Sequence, residues 1–212
     1  MVGSRKELEI VLSSYAKRFS RPKRWLEQYP TDGRTASLLL WEAFMRGDLE
    51  SKIVADLGCG TGILAYGALL LGASMVLCID IDLDALRDAS ETLGTDPRTE
   101  LIQLDVLRMR FRRIDTVVMN PPFGVVRKGI DVAFLRSAFS LSPRAVYSIH
   151  KHNPESRRVI ESTALSFGYE PMLLAVSTMM IPQMYETHVK RVHRFEVAVY
   201  LFRRVDERSN DI

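Results

Sequence analysis

The sequence contains few cysteines and no long apolar run. Among its 212 residues only Cys59 and Cys78 are cysteines, which makes a framework of disulfide bonds unlikely for a chain of this length. The Cys and His residues do not show the spacing of a zinc site, so we predict no protein-bound metal. Apolar stretches stop well short of the roughly 18 residues that a membrane span requires. Arg5, Lys6 and Glu7 lie where the apolar core of a signal peptide would begin. We therefore expect a cytoplasmic protein without membrane segments.

The charge of the chain is nearly balanced, with a formal net charge of +3 at pH 7. This small excess does not by itself identify a nucleic-acid-binding protein. Basic residues nevertheless concentrate in three segments, residues 1–24, 108–113 and 190–194. Each cluster is compatible with contacts to a phosphate backbone and equally with solvated surface charge. The N-terminal cluster is the strongest candidate because it has the largest excess of basic over acidic residues.

Apolar periodicity predicts alternating strands and helices after residue 50. We predict strands at 53–57, 74–79, 100–104, 115–119 and 145–149, with helices at 63–71, 83–93, 131–141 and 154–167. Two further strands, 171–180 and 194–202, have no helical pattern between them and predict a hairpin with a loop at 181–190. The fold expected is α/β: a doubly wound, seven-stranded, mostly parallel Rossmann-like sheet with an antiparallel C-terminal hairpin.

The first 50 residues carry two further helical patterns, at 7–17 and 34–45. We interpret residues 1–50 as a helical extension that packs on a catalytic domain spanning 51–205. Residues 206–212 are polar and are expected to fray.

The motif Asn120-Pro121-Pro122-Phe123 follows the predicted strand at 115–119. Neither proline has an N–H to donate, so the chain must leave the sheet abruptly. This places a carboxamide and an aromatic ring at the carboxyl end of a strand, where ligands bind in open α/β sheets. Carbonyl groups of Asn120 and Pro121 are placed to accept the two hydrogens of an adenine amino group, beneath the stacked ring of Phe123. The motif therefore predicts methylation of adenine N6, the alternative being a turn that only ends a strand.

A glycine-rich loop, Asp56-Leu57-Gly58-Cys59-Gly60-Thr61-Gly62, follows the first predicted strand. Glycines permit a tight turn and close approach of a ligand to the backbone. In dinucleotide-binding proteins the third glycine falls one position later, where this chain has Ile63, so a pyrophosphate is disfavoured. Asp56 is suited to bind the ammonium group of a ligand. The alternative is that it only accepts hydrogen bonds from the amides of the loop.

Three acids and a backbone amide follow the next two strands. Asp80 is placed to accept hydrogen bonds from both hydroxyls of a ribose, and Asp82 to cap the next helix or shape its loop. Asp105 is placed to bind an adenine amino group, with the Val106 N–H beside it, or to cap a turn. Together with the loop, these residues predict S-adenosyl-L-methionine as the cofactor in place of a nicotinamide. Gln28 and Thr31 form either a lid over that cofactor or a capped helix start.

Several motifs together resemble methyltransferase-like protein 5 and its archaeal relatives, over residues 5–202. They are Leu26-Glu27-Gln28-Tyr29-Pro30-Thr31, the glycine loop, Asp80-Ile81-Asp82, Asn120-Pro121-Pro122-Phe123-Gly124, Lys128-Gly129-Ile130-Asp131 and Ser148-Ile149-His150-Lys151. The resemblance implies N6-adenine methylation of small-subunit ribosomal RNA, with catalysis at Asn120, Pro121, Pro122 and Phe123. It also implies cofactor contacts at Gln28, Thr31, Gly58, Thr61, Ile63, Asp80, Asp105 and Val106, to which the loop itself adds Asp56 and Gly60. Thr61 departs from the eukaryotic pattern, which has cysteine there.

The family resembled also implies a protein partner, a small zinc-ribbon methyltransferase activator that pairs by sheet extension. In a sheet of the expected order, the strand from Glu100 to Leu104 lies at an edge, with a row of open backbone groups. We expect the activator to pair there.

Three alternative functions remain open from the sequence. A DNA adenine methyltransferase shares the catalytic residues but usually carries an added recognition domain. A protein glutamine methyltransferase poses the same planar-nitrogen chemistry, although there the aromatic residue is typically tyrosine and this chain has Phe123. The third is a non-catalytic RNA-binding assembly factor.

Overall fold

The computed structural model of the chain describes residues 2–182 and 192–205. Its strands are β1 (Ile53–Leu57), β2 (Met75–Asp80), β3 (Thr99–Gln103), β4 (Thr116–Met119), β5 (Ala145–Lys151), β6 (Tyr169–Pro182) and β7 (Val192–Arg204). Its helices are α1 (Arg5–Tyr15), α2 (Gly33–Met45), α3 (Ile63–Leu70), α4 (Leu83–Leu93), α5 (Ile130–Ser140) and α6 (Pro154–Ser166). Two short 3₁₀ turns, Arg24–Leu26 and Val106–Arg108, complete the elements of these residues.

The strands form one seven-stranded sheet in the order β3-β2-β1-β4-β5-β7-β6. The first five strands are parallel, and β7 pairs antiparallel with both β5 and β6. The predicted α/β sheet with its antiparallel C-terminal hairpin is therefore confirmed, and β3 does lie at an edge.

The main difference from the expected boundaries concerns the hairpin. The loop predicted at 181–190 begins too early, because Ile181 and Pro182 continue β6 and pair with His193 and Val192 of β7. Residues 183–191 of that loop, and the tail 206–212, lie outside the described residues. The two 3₁₀ turns are too short to produce a periodic pattern in the sequence.

The N-terminal helices share a core with the sheet. Ser4 caps α1 by accepting a hydrogen bond from the Glu7 N–H, and Asp32 caps α2 through the Thr35 N–H. Leu8 and Leu12 of α1 are fully buried and belong to the same apolar cluster as residues of α2, α3, β1 and β2. Helix α2 packs against α1 and α3 and contacts β5, β6 and β7, so the segment between α1 and α2 is held at both of its ends.

Asp48 links the segment after α2 to the far side of the sheet. Its carboxylate accepts hydrogen bonds from the Tyr147 hydroxyl, at 2.6 Å, and from both terminal nitrogens of Arg203, at 2.9 and 2.6 Å. Its backbone carbonyl accepts from the Thr116 hydroxyl at 2.6 Å. One buried acid therefore connects β4, β5 and β7 to the N-terminal region.

The described part of the chain has neither a candidate membrane span nor a candidate metal cluster. None of its helices combines the length and apolar character needed to cross a bilayer. The same residues contain no group of three or more His, Cys, Asp or Glu side chains suited to holding a metal ion. Both cysteines are buried as free thiols.

Candidate active site

A cavity lies where β1, β2, β3 and β4 end, beneath the segment between α1 and α2. Of the residues predicted to form the site, all except Pro121 and Phe123 line it: Gln28, Thr31, Asp56, Gly58, Gly60, Thr61, Ile63, Asp80, Asp105, Val106, Asn120 and Pro122. The parallel strands bring these residues together because their carboxyl ends meet at one edge of the sheet. The cavity therefore joins the glycine loop and the Asn-Pro-Pro-Phe motif in one site.

The glycine loop adopts a backbone that requires glycine at Gly58 and Gly60. Both have positive φ, 69° and 55°, a region that side-chain-bearing residues rarely adopt. A Cβ atom added at Gly60 would also come within 2.9 Å of the Phe19 ring. The Gly60 N–H donates to Asp80 Oδ2 at 2.9 Å, so the loop is fastened to the end of β2.

Asp80 is buried and each of its carboxylate oxygens accepts one backbone hydrogen bond. Oδ2 accepts from Gly60, and Oδ1 accepts from the Asp82 N–H at 2.9 Å. Burial raises the pKa of Asp80, although these hydrogen bonds oppose the shift. Each oxygen retains a second lone pair, so the carboxylate can still accept from a ribose diol.

Gln28 and Asp82 fasten the segment between α1 and α2 to α4. Asp82 caps α4 as predicted, accepting from the Asp84 N–H. It also accepts from Gln28 Nε2 at 2.7 Å and pairs with the Lys23 ammonium. Burial pushes the pKa of Asp82 upward, but the hydrogen bonds from Lys23 and Gln28 outweigh it and lower the pKa. The position of Gln28 over the cavity is thus fixed by α4.

Asp56, at the end of β1, carries a buried acceptor without a partner. Its Oδ2 accepts from the Ala65 N–H at 3.0 Å, whereas Oδ1 has no hydrogen-bond partner within the described residues. Burial raises the pKa of Asp56 to about 8, and the charge of Asp80 adds to the shift. An uncompensated acceptor of this kind suits a cationic ligand group such as an ammonium.

Asp105 and Val106 form the cavity wall after β3. Asp105 caps the 3₁₀ turn Val106–Arg108, its Oδ1 accepting from the Leu107 N–H at 2.9 Å. The capping alternative is therefore present in the structure, and it occupies only one of the two carboxylate oxygens. Arg108 approaches Oδ2 at 3.7 Å from the solvent side.

Asn120 presents an unpaired carbonyl oxygen at the cavity. Its Nδ2 donates to the Thr31 hydroxyl at 2.9 Å, and its Oδ1 is buried with no hydrogen-bond partner among the described residues. The bond from Nδ2 to Thr31 fixes the carboxamide, so the free acceptor is oriented before any ligand arrives. Thr31 was predicted as part of a lid or as a helix cap, and the resemblance implied a cofactor contact there. The cap prediction is wrong, because Asp32 caps α2. The contact of Thr31 with Asn120 spans 89 positions, which no local spacing can reveal.

Phe123 lies behind the cavity and does not line it. Its side chain is 7% exposed and packs edge-on against Phe195, with ring centroids 5.1 Å apart. Pro121 is buried as well, whereas Pro122 reaches the cavity wall.

Sequence reasoning missed Glu27, a buried acid at the cavity. Its φ of 51° is in the left-handed region, unusual for a residue other than glycine. Oε1 accepts from the Val126 N–H at 2.7 Å, and Oε2 has no partner among the described residues. Glu27 therefore fastens the segment above the cavity to the loop that follows Phe123. The only feature of the sequence that could have pointed to Glu27 is its position directly before Gln28.

Comparisons with known proteins place these features in a family context. The family model for the methyltransferase small domain matches residues 33–141. The rRNA N(6)-adenosine-methyltransferase METTL5 of Danio rerio is 38% identical over 194 residues, which is 88% of this chain and 92% of the relative. The crystal structure of PH1948 from Pyrococcus horikoshii, a candidate RNA methyltransferase, superposes with a TM-score of 0.89 at 43% identity, covering 98% of this chain and all of that one. Magnesium protoporphyrin IX methyltransferase of Synechocystis, solved with bound S-adenosylmethionine, shares the fold, with a TM-score of 0.60, 18% identity and coverage of 81% and 79%.

Proposed function

We propose that this chain, which belongs to the rRNA N6-adenosine methyltransferase family and carries its small methyltransferase domain, methylates N6 of an unstacked adenosine in small-subunit ribosomal RNA. The observation that carries the proposal is the buried, unpaired Asn120 Oδ1 in a cavity shared with the glycine loop. The cofactor of the family is S-adenosyl-L-methionine. Because ribosomal RNA is the substrate proposed, we place the reaction in the cytoplasm.

The residues of the cavity fit the cofactor group by group. The unpaired Asp56 Oδ1 suits its ammonium, the free lone pairs of Asp80 suit its ribose hydroxyls, and the open Asp105 oxygen with the Val106 N–H suits its adenine. Gln28 and Thr31 cover the same space from above. When bound, S-adenosylmethionine supplies an activated methyl group on a sulfonium.

The Asn-Pro-Pro-Phe motif supplies the groups that act on the substrate. The lone pair of adenine N6 is delocalised into the ring, so this nitrogen is a poor nucleophile. Asn120 Oδ1 accepts one N6 hydrogen and the Pro121 carbonyl accepts the other, which lets the nitrogen become pyramidal. The same oxygens stabilise the positive charge that develops on N6, an effect of about 3 kcal/mol for a preorganised group. The predicted stacking of Phe123 on the extruded base is not part of this proposal, because its ring is buried against Phe195 and does not line the cavity.

Nucleoside mass spectrometry tests this function against its rivals. The protein is incubated with S-adenosylmethionine and, in separate reactions, with ribosomal RNA, double-stranded DNA and a glutamine-containing peptide. We expect N6-methyladenosine in the RNA alone. Methylation of DNA or of the peptide, or of none of the three, would reject the assignment. An Asn120→Ala sample shows that any product depends on this site.

Cofactor binding is expected to release about one proton from Asp56 at pH 7. With a pKa of about 8 in the free protein, this carboxyl is mostly protonated at that pH. A bound ammonium favours the ionised form, so the proton must leave on binding. Affinity for S-adenosylhomocysteine should therefore rise with pH up to about 8, where Asp56 begins to be ionised in the free protein and binding no longer has to release its proton.

Calorimetry in two buffers of different ionisation enthalpy measures this proton release. Asp56→Asn should abolish it. Asp115→Asn is a matched control, since Asp115 also accepts one backbone N–H, from Ile53 at 2.8 Å, but is exposed and lies at the opposite end of β1. Equal proton release by Asp56→Asn and the unmodified protein contradicts the assignment.

The partner we propose is a small zinc-ribbon methyltransferase activator, paired with β3 by sheet extension. Support comes from the edge position of β3 and from exposed apolar side chains around it, with Leu101 39%, Ile81 49% and Leu83 45% exposed. Open backbone groups beside apolar side chains favour β-augmentation.

A charge at this edge should weaken the complex. We expect Leu101→Arg to reduce affinity for the activator by at least about tenfold, the effect of a desolvated charge costing about 1.4 kcal/mol or more. Leu165→Arg is the matched control, since Leu165 is 64% exposed on α6. Pull-down and calorimetry with the purified activator provide the measurement. A chain that is monodisperse and fully active alone, with no activator affinity, contradicts the proposal.

A further inference from the structure

Trp25 is an exposed aromatic residue at the cavity mouth. It lies on the 3₁₀ turn Arg24–Leu26, lines the cavity and is 68% exposed. A tryptophan left in water beside a ligand cavity marks a contact surface, because its large planar face gains from being covered.

The loop after the Asn-Pro-Pro-Phe motif supplies a second exposed apolar surface. Val125 and Val126 are 67% and 52% exposed. The Val126 N–H donates to Glu27 Oε1. Glu27 lies only two residues after Trp25 in the chain. This hydrogen bond places the loop and the turn side by side. We call Arg24, Trp25 and residues 125–128 the rim.

The rim is also basic. Arg24, Arg127 and Lys128 are exposed, and none of the ion pairs within residues 2–182 and 192–205 involves them. By contrast, Lys17 and Lys23 of the N-terminal basic cluster pair with Glu91 and Asp82. Exposed cations beside an aromatic face are the combination that binds single-stranded nucleic acid, by phosphate contact and base stacking.

Phe123 cannot serve the same purpose. Its ring is buried against Phe195 and does not line the cavity, so it is not available to a base on the surface. A nucleotide next to the target adenosine remains outside the cavity, so its base can stack only on a ring that is exposed at the surface. Trp25 is placed to provide it.

We propose that the rim binds the single-stranded RNA adjacent to the target adenosine, with Trp25 stacked on the base of a flanking nucleotide. This inference rests on the proposed function. Arg24, Arg127 and Lys128 contact the neighbouring phosphates. An aromatic face beside uncompensated positive charge suits single-stranded nucleic acid, and the proposed function makes that nucleic acid RNA.

Kinetics of Trp25 variants test the proposal. Trp25→Ala should raise the KM for ribosomal RNA by roughly 5- to 150-fold, the range for loss of one base–aromatic stack. The kcat at saturating RNA and the affinity for S-adenosylhomocysteine should stay unchanged. Trp25→Phe should restore most of the lost affinity. Met45→Ala is the matched control, because Met45 is 65% exposed at the end of α2, and it should behave as the unmodified protein.

Fluorescence provides a readout that is independent of catalysis. The chain contains two tryptophans, so Trp41→Phe leaves Trp25 as the sole reporter. Its emission should be quenched by a short single-stranded RNA containing adenosine. The converse variant, Trp25→Phe, shows whether Trp41 responds instead.

The outcomes separate this proposal from the proposed function. Suppose that the unmodified protein methylates RNA, that Trp25→Ala changes the KM for RNA by less than about twofold, and that Trp25 emission does not respond to RNA. In that case the rim proposal is overturned and the proposed function stands. If the unmodified protein forms no N6-methyladenosine, the function fails, and the quenching experiment alone decides whether Trp25 binds RNA.

Discussion

Asn120→Ala is expected to lower the rate of methyl transfer by at least about 100-fold, the loss seen when one preorganised polar group is removed from a charge-stabilising site. The reason is that Asn120 Oδ1 is a buried cavity acceptor without a partner among the described residues, and it is the one placed after β4 to meet the substrate. Cofactor affinity should stay close to normal, because Asn120 hydrogen-bonds to only one of the residues proposed to hold the cofactor, Thr31. Single-turnover transfer to ribosomal RNA and calorimetry with S-adenosylhomocysteine measure the two quantities.

Asn153→Ala is the matched control for that variant. Asn153 caps α6 by accepting from the Ser156 N–H at 2.8 Å and does not line the cavity. Its removal should cost about 1 kcal/mol of stability, as for other helix caps, and leave the transfer rate unchanged. Full activity in Asn120→Ala would remove this residue from the mechanism.

Asp48→Ala is expected to destabilise the fold by about 3 kcal/mol or more, as when one partner of a buried ion pair is removed. The substitution leaves the Arg203 guanidinium and the Tyr147 hydroxyl without their acceptor. The hydrogen bond from Thr116 goes to the backbone carbonyl and survives. Urea unfolding of the variant and the unmodified protein, with the midpoint compared at constant slope, measures the change.

Asp96→Ala is a matched control because Asp96 also pairs with an arginine, Arg98, at 2.6 Å but near the surface. Its loss should cost less than about 1 kcal/mol. If the two variants are equally stable, Asp48 does not link the N-terminal region to β5 and β7 in the way described.

The sheet could be predicted because its strands obey a local rule. Buried parallel strands read as short apolar runs, and every parallel strand except β3 is followed by a helix, so the alternation after residue 50 indicated the fold class. The positions of Asp80, Asn120 and the glycine loop followed from the same rule, since each comes directly after a strand. The end of β6 was misplaced because strand pairing with β7 extends a hairpin beyond what the apolar pattern indicates.

The contacts that finish the site were beyond the reach of local patterns. Thr31 meets Asn120, and Glu27 meets Val126, across about half of the chain. Such pairs depend on how the segment between α1 and α2 folds over the sheet, which is set by packing of α1 and by the bond from Gln28 to Asp82. For the same reason, the N-terminal basic cluster could not be recognised as partly neutralised by acids of α4.

A structure of the protein with S-adenosylhomocysteine and an RNA containing the target adenosine tests the central claim most directly. We predict adenine N6 within about 2.7–3.2 Å of Asn120 Oδ1, the distance of an N–H···O hydrogen bond. The base would lie in the cavity, with N6 facing the cofactor sulfur. An Asn120 Oδ1 satisfied by one of the protein's own side chains, with the adenosine bound elsewhere, would contradict the account.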